Sequence, residues 1–528
     1  MSRQLAVLQR AGLIDLRRPD LVLRTARTMR ALGPIAGGIR ATARRTPDRV
    51  ALVDGARRVT YRELDRRTDA IAARWHAEGL RARDTIGVLA PDGLMLVETM
   101  AAAAKLGSRL VLLNTGFGAA QLRDVLLREQ VGALVLDPAT SPPTDTLPTA
   151  ITLLDPSPSP DVDRLGIRSR TRRRSETACP ATSLPAPAEQ GGFVLLTGGT
   201  TGTPKGAPRR VESPLAGAQF VDRVPLRREQ TVLLCAPLFH GTALSQFVLA
   251  LNLGSTVVLH GKFDAARALA QLAEHRADMI VLVPTMLRRI LDLGPAVLAD
   301  ADTSALRIVF TAGAALPSAL GTRAIEVFGP VLYNFYGCTE TGTATVATPA
   351  DWLAAPGTVG KPPVGITVAL YDGDDLVTEP GRVGTVHVGN AIAFHGYSGG
   401  GSKQLRGGLM STGDLGHFDT AGRLFVDGRD DDMIVSGGEN VFPGEVEDLL
   451  YRHPAITEAA VIGVPDDEFG QRLAAFVVGA DHLDAAAVQD YVKAHLARFK
   501  SPREVVFVDE LPRTPTGKID RRGLAALR

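Results

Sequence analysis

Hydrophobic positions along this chain alternate between short apolar runs and longer segments with helical spacing. Residues 61–80 repeat apolar positions every three or four residues, whereas residues 85–89 form a continuous apolar run typical of a buried strand. Further apolar runs of strand length, separated by helix-length segments, lie at 231–234, 256–259, 279–283, 307–311 and 331–335. This alternation predicts an α/β protein built of layered sheets.

The periodicity changes in the last third of the chain. Strand-like patterns at 366–371, 384–388 and 423–427 predict a smaller β-rich subdomain. The residues after 432 combine two helical segments, 443–452 and 484–496, with a strand at 458–463, which predicts a small α+β domain. We therefore expect four parts, which are a basic extension over 1–40, a large α/β domain over 41–428, a hinge over 429–432 and a mobile C-terminal domain over 433–528.

Composition narrows the function classes. A chain of 528 residues is too long for one compact core, and 45% hydrophobic with 22% charged residues is ordinary for a globular protein. The formal charge of +2 does not favour a nucleic-acid partner. The three cysteines lack disulfide or metal-ligand spacing, which favours a reducing, cytoplasmic location. The sequence has no run of about 18 apolar residues, so it does not predict a membrane-spanning helix.

The first 40 residues carry eight arginines and two aspartates, interleaved with leucines. They lack the compact apolar segment of a secretory signal. A basic amphipathic helix of this kind suits the surface of an anionic membrane, so peripheral association at its inner face is one hypothesis. The alternative is a helix packed on the body of the protein.

A run of glycine, threonine and one lysine follows the apolar stretch 193–196. It reads Thr197-Gly198-Gly199-Thr200-Thr201-Gly202-Thr203-Pro204-Lys205-Gly206. Backbone N–H groups, hydroxyls and one ammonium in such a loop can surround a polyanion. It is not a Walker A loop, because Gly206 follows Lys205 where that pattern needs serine or threonine.

This loop resembles the phosphate loop of the adenylate-forming superfamily, which includes acyl-CoA synthetases, adenylation domains and luciferases. Four more segments match that superfamily in order, namely Tyr336-Gly337-Cys338-Thr339-Glu340, Ser411-Thr412-Gly413-Asp414, Gly428-Arg429-Asp430-Asp431 and Pro515-Thr516-Gly517-Lys518. The resemblance spans roughly residues 45–528. It implies a large N-terminal domain, a mobile C-terminal domain and a reaction that uses ATP, Mg²⁺ and coenzyme A.

The resemblance assigns most of the nucleotide contacts. Phosphate contacts are implied for Thr197, Gly198, Gly199, Thr200, Thr201, Gly202 and Lys205, and Mg²⁺ contacts for Thr197 and Glu340. Adenine contacts are implied for Gly313, Ala314, Ala315, Asn334, Phe335, Tyr336, Gly337 and Thr339. Asp414 and Arg429 are implied at the ribose.

Lys518 is the leading catalytic candidate, because a compact ammonium can neutralise an attacking carboxylate and an α-phosphate together. Lys205, Glu340 and His240 complete the predicted catalytic group. Asp431 matches the hinge of the superfamily. The segment implied to meet the pantetheine arm of CoA is Val435, Ser436, Gly437 and Gly438.

The acid site is predicted around His240, with a histidine of the core as the alternative. Residues expected to line an apolar acyl tunnel are Leu244, Phe247, Val283, Thr285 and Leu287. Each buried methylene in such a tunnel contributes about 0.8 kcal/mol. This favours a fatty acid over an amino acid, although apolar side chains at strand ends also form ordinary core.

Three features depart from the superfamily pattern. Gly198 replaces a common hydroxyl residue, and no lysine lies near Asp431 or Val435. The segment 397–410, which precedes the ribose motif Ser411-Thr412-Gly413-Asp414, is short and rich in glycine. We predict a medium- to long-chain fatty-acyl-CoA synthetase. The rivals are an acyl-AMP ligase that loads a carrier protein and a non-catalytic nucleotide-binding member of the fold. The sequence leaves the oligomeric state open, a homodimer included.

Overall fold

A computed structural model describes most of the chain. The described residues are 2–117, 119–140, 147–148, 150–157, 184–197, 205–211, 214–390, 392–394, 396, 404–429, 434–436, 439–466, 470–480, 482–496, 500–514 and 518–528. They divide into two compact units. The first unit comprises residues 1–310 with 391–403, and the second comprises 311–390 with 404–528.

The α-helices are α1 Ser2–Ala11, α2 Pro19–Arg45, α3 Tyr61–Ala77, α4 Leu94–Leu106, α5 Ala119–Arg128, α6 Ala218–Val221, α7 Gly241–Leu253, α8 Ala265–Glu274, α9 Pro284–Leu291, α10 Pro295–Asp300, α11 Ser318–Phe328, α12 Pro349–Ala354, α13 Pro443–Leu450, α14 Ala485–His495 and α15 Arg521–Ala525. Two short 3₁₀ turns lie at Pro138–Thr140 and Pro214–Gly217.

The strands are β1 Val50–Asp54, β2 Arg57–Thr60, β3 Thr85–Leu89, β4 Arg109–Leu112, β5 Ala133–Leu136, β6 Thr152–Leu154, β7 Phe193–Thr197, β8 Lys205–Val211, β9 Thr231–Leu234, β10 Thr256–Leu259, β11 Met279–Leu282, β12 Ile308–Thr311, β13 Leu332–Cys338, β14 Gly342–Ala347, β15 Thr367–Asp372, β16 Asp375–Val377, β17 Gly384–Gly389, β18 Ile392–Phe394, β19 Leu405–Arg406, β20 Leu409–Phe418, β21 Leu424–Arg429, β22 Ile434–Ser436, β23 Glu439–Val441, β24 Ile456–Asp466, β25 Gly470–Gly479 and β26 Glu504–Phe507.

The first unit holds two sheets whose parallel strands alternate with helices. One sheet has the order β12-β11-β9-β10-β1-β2 and the other the order β18-β8-β7-β4-β3-β5-β6. The inner strands read as apolar runs because both faces of a parallel sheet are covered by helices. The α/β prediction is confirmed in this unit.

The N-terminal residues lie on the body of the first unit. Val7, Leu8 and Ala11 of α1 are buried, and α1 packs against Pro214–Gly217 and α6. Helix α2 is kinked at Gly33, whose φ of 75° is in the left-handed region, and Pro34 starts its second half. The apolar face of α1 is therefore packed on the body of the protein, which is the second of the two alternatives given above.

The second unit contains a six-stranded antiparallel sheet with the order β16-β15-β17-β20-β19, in which β21 also pairs with β20. A second sheet has the order β23-β22-β25-β24, with β26 parallel to β25. Helices α13 and α14 and the apolar face of this second sheet share one buried core. The predicted β-rich subdomain and the α+β C-terminal region are both present.

The domain boundary predicted at residue 428 does not coincide with the division between the compact units. The carboxylate of Asp448 accepts hydrogen bonds from the backbone N–H of Ser318, at 2.8 Å, and from its hydroxyl, at 3.0 Å. Arg452 donates to the hydroxyl of Ser318 and to the carboxylate of Asp448. These bonds join the C-terminal region to α11, which places it in the same compact unit as residues 311–390.

Candidate active site

The hairpin formed by β13 and β14 carries the motif around Tyr336. Gly337 is required there, because a Cβ atom at this position would lie 2.0 Å from the carbonyl oxygen of Gly342. The turn places Glu340 between the two strands, partly exposed. Burial and the charge of Glu340 raise the pKa of the Cys338 thiol, so Cys338 stays protonated and hydrogen-bonds with Thr341.

Tyr336 and Asp414 meet in the second unit although they belong to separate motifs. The Tyr336 hydroxyl donates to Oδ2 of Asp414 at 2.6 Å and lies 3.2 Å from the Thr412 hydroxyl. Burial and the neighbouring carboxylate raise the pKa of Tyr336 well above its usual range. The phenol is therefore a stable hydrogen-bond donor that orients Asp414.

Arg429 lies directly opposite Asp414 in the register of β20 and β21. Its Nη1 is 3.4 Å from Oδ1 of Asp414, and the guanidinium is 40% exposed while Asp414 is 13% exposed. The arginine can therefore contact Asp414 and still present donors to a polar ligand. Tyr336, Asp414 and Arg429 are therefore predicted site residues from three separate motifs that the structure brings into contact.

The other predicted adenine residues have mixed environments. Gly313, Ala314 and Ala315 form an exposed turn, and Gly313 has a φ of 93°. Asn334 is 3% exposed and its amide nitrogen donates to the carbonyl of Thr358 at 3.4 Å. Phe335 and Thr339 are partly exposed, on β13 and in the following turn. The adenine contacts of these residues stay a prediction.

The two ends of the glycine- and threonine-rich run belong to antiparallel strands. Thr197 ends β7 and is paired with Lys205, which begins β8. Gly198, Gly199, Thr200, Thr201 and Gly202 lie outside the described residues. The contacts of this loop with phosphate and metal stay a prediction.

His240 occupies the N-cap of α7 in the first unit and is partly exposed. Its backbone N–H donates to the carbonyl of Pro237 at 3.0 Å, and its ring meets Phe239 edge-on, 4.5 Å between centroids. Val283 and Thr285 are also partly exposed, at the N-terminus of α9. Each of these three residues therefore keeps part of its surface accessible.

Three residues predicted to line an acyl tunnel are instead part of the packed core. Leu244 is 2% exposed, and Phe247 and Leu287 are 0% exposed. A side chain without accessible surface contacts protein on all sides and does not border an open channel. The prediction of a tunnel lined by these three residues is corrected on this point.

Lys518 follows a loop whose ends are held together. Arg513 and Ile519 form an antiparallel bridge, and the Thr514 N–H donates to the carbonyl of Lys518 at 2.8 Å. The Lys518 side chain is exposed. Among the described residues, no hydrogen bond or ion pair joins it to Asp414 or Arg429.

Only part of the predicted hinge and CoA segment lies within the described residues. Val435 and Ser436 lie in β22, whereas Asp431, Gly437 and Gly438 lie outside the described residues. No group of three or more metal-ligating side chains was found in the described part of the chain. The Mg²⁺ contacts of Thr197 and Glu340 stay a prediction.

Two residues near these groups were not singled out in the sequence. Thr412 is 1% exposed, and its hydroxyl accepts from the N–H of Asp414 at 3.0 Å. Its position inside the ribose motif was the available signal. Asp92 contacts the turn before His240 through the N–H of Leu238, and only its position after a buried strand could have pointed to it.

Comparison with protein families gives two matches along the chain. The model described as AMP-binding enzyme matches residues 39–398, and the model for the AMP-binding enzyme C-terminal domain matches residues 445–518.

Individual relatives cover nearly the whole chain. An indoleacetate–CoA ligase of Aromatoleum aromaticum is 32% identical over 90% of this chain and 94% of its own length. The long-chain-fatty-acid–CoA ligase FadD13 of Mycobacterium tuberculosis is 30% identical over 88% and 92%. The o-succinylbenzoate CoA synthetase of Bacillus subtilis with its acyl-adenylate has a TM-score of 0.81 at 28% identity, covering 92% of this chain and 97% of the other. The same enzyme has also been solved with ATP and a magnesium ion.

Proposed function

This chain belongs to the AMP-binding enzyme family, and on that premise we propose that it is an ATP-dependent acid–CoA ligase acting on medium- to long-chain fatty acids. The observation that carries the proposal is the contact of Tyr336, Asp414 and Arg429. Together they offer a ring face, an acceptor for two vicinal hydroxyls and a cation, which are the groups needed to bind a nucleoside phosphate.

The first half-reaction forms an acyl-adenylate. A carboxylate oxygen of the acid attacks the α-phosphorus of ATP, and the bond from that phosphorus to the bridging oxygen of pyrophosphate breaks. Two anions must approach, so the reaction depends on neutralising charge. In our proposal Lys518 neutralises the charge of the attacking carboxylate and of the α-phosphate. Lys205 and the hydroxyls of the 197–202 loop hold the leaving phosphates.

The second half-reaction transfers the acyl group. The sulfur of CoA attacks the acyl carbon, AMP leaves with the electron pair of the carbon–oxygen bond, and the thiol proton passes to solvent. Small residues over 435–438 would let the pantetheine arm approach the backbone closely. Rotation of the C-terminal region about Asp431 is proposed to separate the two halves, as a gating step.

Mg²⁺ fits the residues present. In the proposal the ion is bound with ATP, and Glu340 and Thr197 supply oxygen ligands beside those of the phosphates. When bound, the ion neutralises phosphate charge. The structure of the related o-succinylbenzoate CoA synthetase with ATP and a magnesium ion supports this part of the proposal.

The identity of the acid substrate is a separate part of the proposal. FadD13 supports a fatty acid, whereas other relatives are named for indoleacetate and 2-succinylbenzoate. The residues proposed to contact the acid are His240, Val283 and Thr285, because they are partly exposed. An apolar acid that buries several methylenes would gain about 0.8 kcal/mol for each.

The decisive experiment is acid-dependent exchange of labelled pyrophosphate into ATP, followed by thioester formation with CoA. The panel contains octanoate, palmitate, indoleacetate, 2-succinylbenzoate and ferulate. Highest kcat/KM for a fatty acid supports the whole proposal. Highest kcat/KM for an aryl acid overturns the fatty-acid part and leaves the ligase class in place.

The same assay separates the two rival functions. Exchange without an acyl-CoA product, but with acylation of an added carrier protein, favours the acyl-AMP ligase. Absence of exchange with every acid favours a non-catalytic nucleotide binder, which equilibrium binding of ATP would then detect. Retention of the exposed Lys518 argues against that last rival.

We also propose weak association of the first half of α2 with anionic lipid. Leu16, Leu21 and Leu23 are 53%, 39% and 52% exposed. Arg17, Arg24, Arg27 and Arg30 are exposed around them. Each arginine near an anionic membrane surface contributes about 1 kcal/mol to binding. No helix in the described part of the chain has the length and apolar character needed to cross a bilayer.

Point variants test this association better than removal of residues 1–40, since Ile35, Ala36 and Ile39 belong to the core. The test compares sedimentation with vesicles of phosphatidylcholine alone and vesicles with added phosphatidylglycerol. Arg24→Glu with Arg27→Glu should abolish binding to the anionic vesicles, while Arg276→Glu, a change of an exposed arginine elsewhere in the first unit, should not. Equal sedimentation of both variants would contradict the proposal.

A further inference from the structure

Asp92 joins two sheets of the first unit at the ends of their strands. It follows β3 of one sheet, and both of its carboxylate oxygens accept the N–H of Leu238, at 3.0 and 3.1 Å. Leu238 lies in the turn after β9 of the other sheet. Ligands of open α/β sheets bind at these carboxyl ends, so the contact lies where a substrate would approach.

The turn that Asp92 contacts presents His240. The N–H of His240 closes the turn on the carbonyl of Pro237, and the carbonyl of His240 accepts from Leu244 at the start of α7. The N–H of Leu238 is not used inside the turn and points to Asp92. The carboxyl group of Asp92 therefore holds the turn from outside, next to the histidine proposed to meet the acid.

In the described part of the chain, no ion pair compensates the charge of Asp92. Asp54 of β1 accepts from Leu94 at 2.9 Å, on the other side of the same loop. Gly261 approaches the backbone of Asp92, and its neighbours are His260, which contacts Gln271, and Lys262. Neither these groups nor His240 forms an ion pair with Asp92 among the residues that the structure describes. Burial raises the pKa of Asp92 to about 7.

We propose that Asp92 is a positioning residue for acid activation, whose carboxyl group sets the orientation of the turn over 237–240 and so of His240. The inference rests on the proposed ligase function. As Asp92 loses its proton near neutral pH, its bond to Leu238 strengthens, because a charged acceptor binds an N–H more strongly than a neutral one. Binding of the acid should therefore improve over the same pH range.

Kinetics of two variants provide the first test. Asp92→Ala should raise the KM for the acid about tenfold, with the KM for ATP within about twofold, since one charge-assisted hydrogen bond is lost. Asp92→Asn keeps an acceptor oxygen and should restore most of the acid affinity, but the change of acid KM between pH 6 and pH 8 should disappear. Asp54→Asn is the matched control, because Asp54 also accepts a backbone N–H from this loop without contacting the turn.

The second test does not depend on activity. Labelling with ¹³C-carbonyl proline and ¹⁵N-leucine selects amides that follow proline, and the chain has three Pro-Leu pairs, at Leu215, Leu226 and Leu238. Leu215→Ile and Leu226→Ile assign the signals. The Leu238 signal should move with a midpoint near pH 7 in the wild type and in Asp54→Asn, and should lose that midpoint in Asp92→Asn.

The two tests distinguish the possible failures. A Leu238 signal that is insensitive to pH, or that keeps its midpoint in Asp92→Asn, overturns the inference whatever the enzyme does. If the Leu238 signal titrates but the KM for the acid is the same in Asp92→Asn as in the wild type at every pH, the positioning role is overturned. If no acid supports pyrophosphate exchange, the proposed function has failed, and the signal still decides whether Asp92 controls the turn.

Discussion

The phenol oxygen of Tyr336 lies 2.6 Å from Oδ2 of Asp414, so two motifs that are 78 residues apart form one hydrogen-bonded unit. Thr412 and Arg429 extend this unit on either side of the carboxylate. A ligand that contacts the ring therefore meets a carboxylate whose orientation is already set, which lowers the entropy lost on binding.

Tyr336→Phe should weaken ATP binding about three- to tenfold while leaving the acid KM unchanged. The ring face is retained, but Asp414 loses a donor, at a cost of about 1 kcal/mol. Calorimetric titration with ATP and magnesium measures the effect. Tyr333→Phe on the same strand is the control, because no hydrogen bond is found for its hydroxyl in the described structure. Equal ATP affinity of Tyr336→Phe and wild type would show that the hydrogen bond does not orient Asp414.

Lys518→Ala should reduce pyrophosphate exchange about 100-fold or more, the scale seen when one stabilising donor is removed from a transition state. Thioester formation from supplied acyl-AMP should stay within about threefold, since the attacking and leaving charges of the first half are then absent. Lys493→Ala is the matched control, because Lys493 pairs with Asp490 on the surface of α14. Parallel loss of both half-reactions in Lys518→Ala would contradict the assigned role.

Gly337→Ala should lower the free energy of unfolding by at least about 2 kcal/mol and abolish ATP binding. The added methyl carbon would lie 2.0 Å from the Gly342 carbonyl oxygen, which the hairpin cannot accommodate without separating its strands. Chemical denaturation and ATP titration measure both effects. Gly132→Ala, where a Cβ meets no atom within 4 Å, should be near neutral. A stable, ATP-binding Gly337→Ala protein is incompatible with this hairpin.

Two histidines of the six-stranded sheet should contribute to the free energy of unfolding with opposite pH dependence near neutral pH. The hydrogen bond that His417 donates to the carboxylate of Asp427 raises the pKa of His417, so the contribution of His417 is complete below pH about 6.5 and is lost as pH rises through the raised value. Burial lowers the pKa of His387, so its contribution is lost as pH falls below about 6.5.

Urea denaturation from pH 5 to pH 8 tests these signs. His417→Gln should be most destabilising, by about 1 kcal/mol, at the acid end of the range. His387→Gln should lessen the loss of stability at that same end. A constant penalty for His417→Gln across the range would mean that its pair with Asp427 does not titrate with folding.

Several elements could be predicted closely from the sequence. The apolar runs at 231–234 and 256–259 are β9 and β10 with the same bounds, because strands buried on both faces have few polar positions. The tunnel prediction failed at Leu244, Phe247 and Leu287 because an apolar residue near a strand end looks the same whether it faces a ligand or the core. For the N-terminal residues the sequence left two alternatives open, since amphipathic spacing does not identify what covers an apolar face, and the structure packs α1 on the body of the first unit.

The amino-acid sequence by itself determined the strand-forming runs, the α/β class and the order of the five motifs, because these depend on local periodicity and on residue types at short spacing. Only the tertiary structure decided that Tyr336 donates to Asp414 and that Asp92 accepts from Leu238, which is 146 residues away. Such pairs depend on which strands become neighbours, and that choice is made by the burial of whole sheets rather than by any local pattern.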